Sequence, residues 1–157
     1  LKEQYNLDPQ IAKINISLNK CVDNNLGKSR VNYQSCQLLY KKLINDQNLK
    51  NKFPSTEEYE EYIGYKYEKC RIKSKLNNEK VQLFCLKRAI LKCKNNNNCI
   101  QHFTNQIRHQ NNEILATEKE LIYCTKYYQE FLEMMKRKKR ILMIIYINLM
   151  IHLKMEV

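Results

Sequence analysis

Seven cysteines stand in a chain of 157 residues, and they are the side chains whose type and spacing point most directly to chemistry. In an oxidising compartment so many cysteines act as cross-links, and in a reducing one as metal ligands or buried thiols. The odd number leaves one over, as a thiol or as a bridge to another chain. Cys21 and Cys36 have fourteen residues between them, and so do Cys70 and Cys85. The strong break Phe53-Pro54-Ser55-Thr56 lies between the two pairs. Folding the chain there brings the pairs face to face, because the residue numbers of Cys21 and Cys85 have the same sum as those of Cys36 and Cys70. Fifteen steps along an α-helix turn about 1500°, which leaves the cysteines of one pair about 60° apart on one face. The spacing therefore predicts an antiparallel helical hairpin closed by Cys21–Cys85 and Cys36–Cys70. Each such staple stabilises by roughly 3–4 kcal/mol in the chain-entropy account. Cys93 and Cys99 flank the run Asn95 to Asn98 and are placed for a third, local bridge, which leaves Cys124 as the seventh cysteine.

Other chemistries have weaker signals. A metal would draw on Cys93, Cys99, His102, His109 and Cys124. Their Cys-x5-Cys-x2-His spacing matches no familiar zinc pattern, and there is no Cys-x2-Cys knuckle. No metal is expected, and His102 and His109 read as exposed helix residues. The chain has no Gly-rich phosphate loop, no Gly-x-Ser-x-Gly elbow and no His-Glu-x-x-His. Glu57, Glu58, Glu60 and Glu61 form an acidic patch at a helix start, which the helix dipole favours. Cysteine–histidine catalysis needs a pocket that thin helices seldom offer. The expectation is a non-catalytic protein with no cofactor.

Helices must position these cysteines. Two glycines and two prolines leave few breakers, so helix is the default. The expected architecture is a single all-α domain, with a cysteine-paired hairpin over 8–95, a long helix over 99–140 and an apolar tail over 141–157. Asp8-Pro9 starts the first helix. Ile11, Ile14, Leu18 and Cys21 then share one face. Gly27 offers a helix-ending residue and Ser29 a new cap, so that helix either breaks there or runs on. A break would disturb the register of Cys21 but not that of Cys36 with Cys70. The pattern resumes at Tyr33, Cys36, Leu39, Tyr40 and Leu43, and residues 45–52 read as a loop. Ser55 and Glu58 fit a capping box. The long helix behind them has Tyr59, Ile63, Tyr67 and Cys70 on its face, shifting to Ile72, Leu76, Leu83, Leu86 and Ile90. Gly64 inside it costs about 1 kcal/mol against Ala. Tyr59, Tyr62, Tyr65 and Tyr67 read as packing rings with wet hydroxyls. The competing reading is a nucleic-acid stacking platform.

The four asparagines suit a turn. A seven-residue beat follows at Ile100, Ile107, Ile114, Leu121, Tyr128 and Met135. Its companion positions are mixed: Phe103, Gln110, Thr117, Cys124 and Phe131. Such a beat predicts a long helix packed lengthwise, with a seam that needs the hairpin or a foreign subunit to cover it. Lys136, Arg137, Lys138, Lys139 and Arg140 are the one true cation cluster. Ile141 to Leu153 then make about 20 Å of helix, short of the ~30 Å of a hydrocarbon core. Burial against protein is the first reading of that tail. The second is an interfacial helix with its five cations on anionic headgroups, and the third is a full span.

A net charge of +12 favours anionic surroundings. The dispersed charges read as solvated helix surface. Lys, Asn, Ile and Tyr are over-used, and all have A/T-rich codons, so an AT-rich protist genome is expected. The chain opens on Leu1 with no secretory apolar run beside it, which fits a removed presequence or an incomplete reading frame equally. Over residues 10–90 the paired cysteines resemble the coiled-coil-helix-coiled-coil-helix family of the mitochondrial intermembrane space, twin-cysteine helical hairpins, with wider spacing here. The resemblance implies oxidative import into that space, or attachment to the inner membrane. It also implies a structural role as an accessory subunit, often of a respiratory-chain complex, with other protein subunits as partners. Two other readings stay open. One is a structural protein of a ciliary microtubule lattice or a mitochondrial ribosome, with reduced cysteines. The other is a basic module that holds nucleic acid through Lys136 to Arg140, the less favoured partner.

Overall fold

Side-chain caps mark where helices begin, and the computed structural model, which describes residues 8–29 and 32–156, follows them. Asp8 accepts from the N–H groups of Gln10 at 3.0 Å and Ile11 at 3.4 Å, and α1 runs Pro9–Gly27. The helix breaks there. Lys28 caps it, and Gly27 is its last helical residue with no positive φ. The restart is at Asn32 and not at Ser29. Asn32 Oδ1 accepts from the Ser35 N–H at 2.8 Å, and Ser35 Oγ accepts from the Asn32 N–H at 3.0 Å. That reciprocal cap opens α2, Tyr33–Ile44. The polar run expected as a loop holds one helical turn, α3, Gln47–Lys50, because Asp46 accepts from the Leu49 N–H at 3.0 Å. Ser55 Oγ accepts from the Glu58 N–H at 3.2 Å and opens α4, Thr56–Leu91. Asn96 Oδ1 accepts from the Cys99 N–H at 3.2 Å and opens α5, Asn97–Glu156. This last helix has 60 residues and runs without interruption through both the seven-residue beat and the apolar tail. Every described element is a helix.

The chain divides into two compact units, Leu1–Cys36 with Cys70–Leu121, and Gln37–Lys69 with Ile122–Val157. In the first, α1 and the start of α2 lie antiparallel to the C-terminal part of α4. Several links tie them, and four of these share one register. Asn96 donates to Gln10 Oε1 at 2.7 Å, Asn77 donates to Ser29 Oγ at 2.6 Å, and disulfides join Cys21 to Cys85 and Cys36 to Cys70. In all four pairs the residue numbers add to the same value. The break after Gly27 therefore leaves Cys21 in register. Ile14, Leu86, Ala89, Cys93, Cys99 and Phe103 form the core of this unit. α5 returns antiparallel to α4, with Gln110 Nε2 donating to the Glu79 carbonyl at 3.0 Å and Lys75 Nζ 3.7 Å from Glu120. Along α5 the mixed companion positions lie deepest. Phe103, Gln110 and Thr117 are buried, whereas Ile100 and Ile107 are half-buried. Gln110 tolerates that place because its amide is satisfied by a backbone carbonyl.

The second unit is built on rings. Leu43, Tyr59 and Ile63 form its core, with Leu39, Leu49, Phe53 and Tyr62 packed on them. Tyr65 meets Phe131 at 5.2 Å between centroids, Tyr62 meets Tyr128 at 6.2 Å, and Tyr67 meets Tyr40 at 5.5 Å. Lys66 and Lys69 lie 5.6 and 5.7 Å from the Tyr128 ring centre. The rings pack as expected, but one hydroxyl is not wet. Tyr59 is 2% exposed, and its hydroxyl donates to the Leu43 carbonyl. Helix α2 ends one residue later, and that carbonyl accepts from the Asp46 N–H at 3.3 Å as well as from the Tyr59 hydroxyl.

Burial first, and then the Asp46 charge, push the Tyr59 hydroxyl above its ordinary 10.0. The folded chain thus holds the phenolic proton more tightly than the unfolded chain. The stability this contributes is full below the unfolded value and is lost as pH rises through the folded one. Tyr59→Phe removes one of the two donors to the Leu43 carbonyl, the Asp46 N–H remaining at 3.3 Å, and should cost about 0.5–1.5 kcal/mol at neutral pH by urea unfolding. Between about pH 9 and 11 the variant should lose stability less steeply than the parent chain. Equal slopes would show that this hydroxyl is not what titrates.

Candidate functional site

The cysteines are the candidate site, and each is placed by a helix face. Cys21 lies on α1 and Cys36 on α2, and both face α4, which carries Cys70 and Cys85. Cys21–Cys85 has an S–S distance of 2.13 Å with Cα atoms 5.9 Å apart, and Cys36–Cys70 has 2.03 Å and 5.6 Å. Both Cα separations fall in the range that a disulfide requires. Cys36 and Cys85 are fully buried, while Cys21 and Cys70 are half-buried, so each bridge has one sheltered sulfur. Asn25 donates to the Cys21 carbonyl at 2.8 Å and holds its amide 3.6 Å from the Cys21 sulfur and 4.0 Å from that of Cys85. Cys93 and Cys99 are bonded across the asparagine turn, with Cα atoms 5.5 Å apart, and both are buried. Lys94 begins that turn with φ 53°, a left-handed conformation that costs a residue with a Cβ about 1 kcal/mol or more. The Cys93–Cys99 bond and the backbone bond from Asn96 N–H to the Cys93 carbonyl, at 3.1 Å, hold it there. Cys124 lies outside the three bridges.

The metal candidates separate. Cys93 and Cys99 are joined to each other, so neither offers a thiolate. His102 Nε2 is 3.0 Å from the Gln106 amide, and its ring stands edge-on to Phe103. His109 is exposed and lies 3.7 Å from Glu113 one turn on. Among the described residues no three His, Cys, Asp or Glu side chains group to hold a metal ion. A cleft of about 640 Å³ lies in the first unit between α1, α4 and α5. Leu18, Leu86, Gln82, Gln106, His102 and His109 are among its walls. Its lining residues include amides, imidazoles and aliphatic groups, but no carboxylate, thiol or hydroxyl side chain. Imidazole could accept a proton there, yet that lining supplies no nucleophile beside it.

Lys136, Arg137, Lys138, Lys139 and Arg140 are all exposed on α5. Lys138 is engaged within its unit, its Nζ 2.7 Å from Glu58 Oε1. Lys138 is about half exposed, so the pair stabilises by no more than about 1 kcal/mol. Glu58 was expected only as a capping residue at the start of α4, and its partner is far away in sequence. Beyond the cations the residues from Ile141 to Lys154 are exposed on every side of the helix. No described helix is long and apolar enough to cross a membrane. The tyrosines do not form an open stacking platform, since Tyr59 is buried and Tyr62, Tyr65 and Tyr67 pack against Phe53, Tyr128, Phe131 and Tyr40.

The loops closed by Cys21–Cys85, Cys36–Cys70 and Cys93–Cys99 span 64, 34 and 6 residues. Paired Cys→Ser replacement should cost about 4 kcal/mol for each of the first two bridges and about 2 kcal/mol for the third. Urea unfolding of the three double variants measures that order. Alkylation of the native, unreduced chain should label one cysteine of the seven, and labelling of all seven would remove the cross-links from the account. Comparison with family models, with curated proteins and with solved structures finds no match to this chain.

Proposed function

We propose that this protein is a non-catalytic structural subunit of a large mitochondrial assembly, and within that class an accessory subunit of a respiratory-chain complex in an AT-rich protist. The observation that carries the reading is the pair of disulfides holding two antiparallel rods in constant register. Cross-links of that kind form in an oxidising compartment, and the intermembrane space is one that houses twin-cysteine hairpins. A second observation supports the role. Leu115, Ile122, Tyr123, Tyr127 and Met134 of α5 are large apolar side chains left exposed. Apolar rows of this size on a stable rod suit coverage by neighbouring protein subunits. A scaffold of stapled helices gives an assembly a rigid strut.

Native-gel fractionation of mitochondria from the source organism tests the proposal. The chain should migrate with a respiratory complex, behind an intact outer membrane, with its cysteines oxidised. Recovery with axonemes or ribosomes, or with reduced cysteines, would transfer it to a different assembly.

A further inference from the structure

We infer that residues 136–154 are a membrane-surface anchor, a helix end that embeds in one leaflet of a bilayer with anionic headgroups. The inference does not rest on the compartment proposed above. Every residue from Lys136 to Lys154 is exposed. Ile141 to Ile147 is an unbroken apolar run, with Met143 at 62% exposure and Tyr146 at 61%. At about 100° per residue, seven consecutive positions cover all sides of a helix. A groove on a protein covers one side only. Lipid can cover many sides of such a helix at once without several protein surfaces having to converge on it.

Charge selects the kind of lipid. Five cations stand directly before the apolar run, and no carboxylate occurs between Lys136 and Lys154. Glu58 engages Lys138, and Lys136, Arg137, Lys139 and Arg140 form the rest of the collar. Their aliphatic stems can follow the acyl region while the charged ends stay at the phosphates. Length sets the depth. Thirteen residues from Ile141 to Leu153 give about 20 Å, more than half of the ~30 Å hydrocarbon core but too little to cross it. Asn148 and His152 are one turn apart and share a side, which turns toward the headgroups when the helix lies at a shallow tilt.

Flotation of the full-length, oxidised chain with phosphatidylcholine vesicles, with and without cardiolipin, tests this. The chain should float with the anionic vesicles and stay behind with the neutral ones, and added salt should release it. Ile144→Glu with Ile147→Glu should abolish flotation, and both positions are exposed, so the fold is expected to survive. Arg137→Glu, Lys139→Glu and Arg140→Glu together should weaken it by about 100-fold or more, while leaving the Lys138–Glu58 pair in place. The chain has no tryptophan. Tyr146→Trp therefore introduces a lone indole reporter, and its emission should shift to the blue on anionic vesicles and be quenched by acyl-brominated lipid. Absence of flotation, equal flotation with neutral vesicles, retention by the Ile144→Glu/Ile147→Glu variant, or an unshifted emission from the Tyr146→Trp variant each overturns the inference. A dimer in solution that the same double variant dissociates, with no vesicle binding, would overturn it too and assign the apolar turns to a second copy of the chain.

Discussion

Constant register between one rod and the rod beside it is the constraint on which the first unit depends. The chain reverses direction between α2 and α4, and from then on each residue gained on one side is a residue lost on the other. Gln10 with Asn96, Cys21 with Cys85, Ser29 with Asn77 and Cys36 with Cys70 all obey that rule. A rule kept over such a length means that the two sides rise by the same amount per residue. Between the two bridges one side has the end of α1 at Gly27 and the start of α2 at Tyr33, and the other is continuous helix. The sulfur bridges stand on either side of the interruption and hold its ends at fixed height. The side-chain hydrogen bond from Asn77 to Ser29 Oγ adds a third tie just past the end of α1.

The two units solve the problem of a thin core differently. In the first, the interior consists of small and aliphatic groups around Phe103, and the sulfurs of Cys85, Cys93 and Cys99 are buried as well. Cys93 and Cys99 sit inside the apolar cluster with Ile14, Leu86 and Ala89, so that bridge is core as well as cross-link. None of the three disulfides closes within the second unit, and large rings take that place. Phe53, Tyr59, Tyr62, Tyr65, Tyr128 and Phe131 meet at centroid separations between 4.8 and 6.2 Å. Aromatic side chains bury much area for few rotatable bonds, which suits helices that supply only a narrow seam.

Much of this was visible in residue spacing, because disulfide partners on helices obey simple arithmetic. The hairpin, its turn at Pro54, the caps at Asp8 and Ser55 and the long last helix follow from local rules that one sequence displays. What escaped was of two kinds, local caps that compete with one another and features decided by partners distant in sequence. Ser29 looked like a cap, but it faces Asn77, and Asn32 with Ser35 makes the cap instead. Asp46 began a turn of helix within a stretch that composition alone marks as loop. The Tyr59 hydroxyl reads from sequence as wet, yet the end of α2 presents it with the Leu43 carbonyl, which has room for a second donor beside the Asp46 N–H. Gln110 and Thr117 looked like defects in an apolar beat, and they lie deeper than Ile100 and Ile107 beside them. A polar side chain on a seam reads as a flaw until the opposite backbone that receives it is known.

The ring sizes carry a consequence for how the molecule is made. Bringing two chain ends together grows harder with the length between them, so a ring of 6 residues closes before rings of 34 or 64. The first oxidation step then belongs to Cys93 and Cys99, which shapes the elbow between α4 and α5 while the rest of the chain is still loose. That elbow also offers Asn96 to Gln10, a docking point for the opening turn of α1.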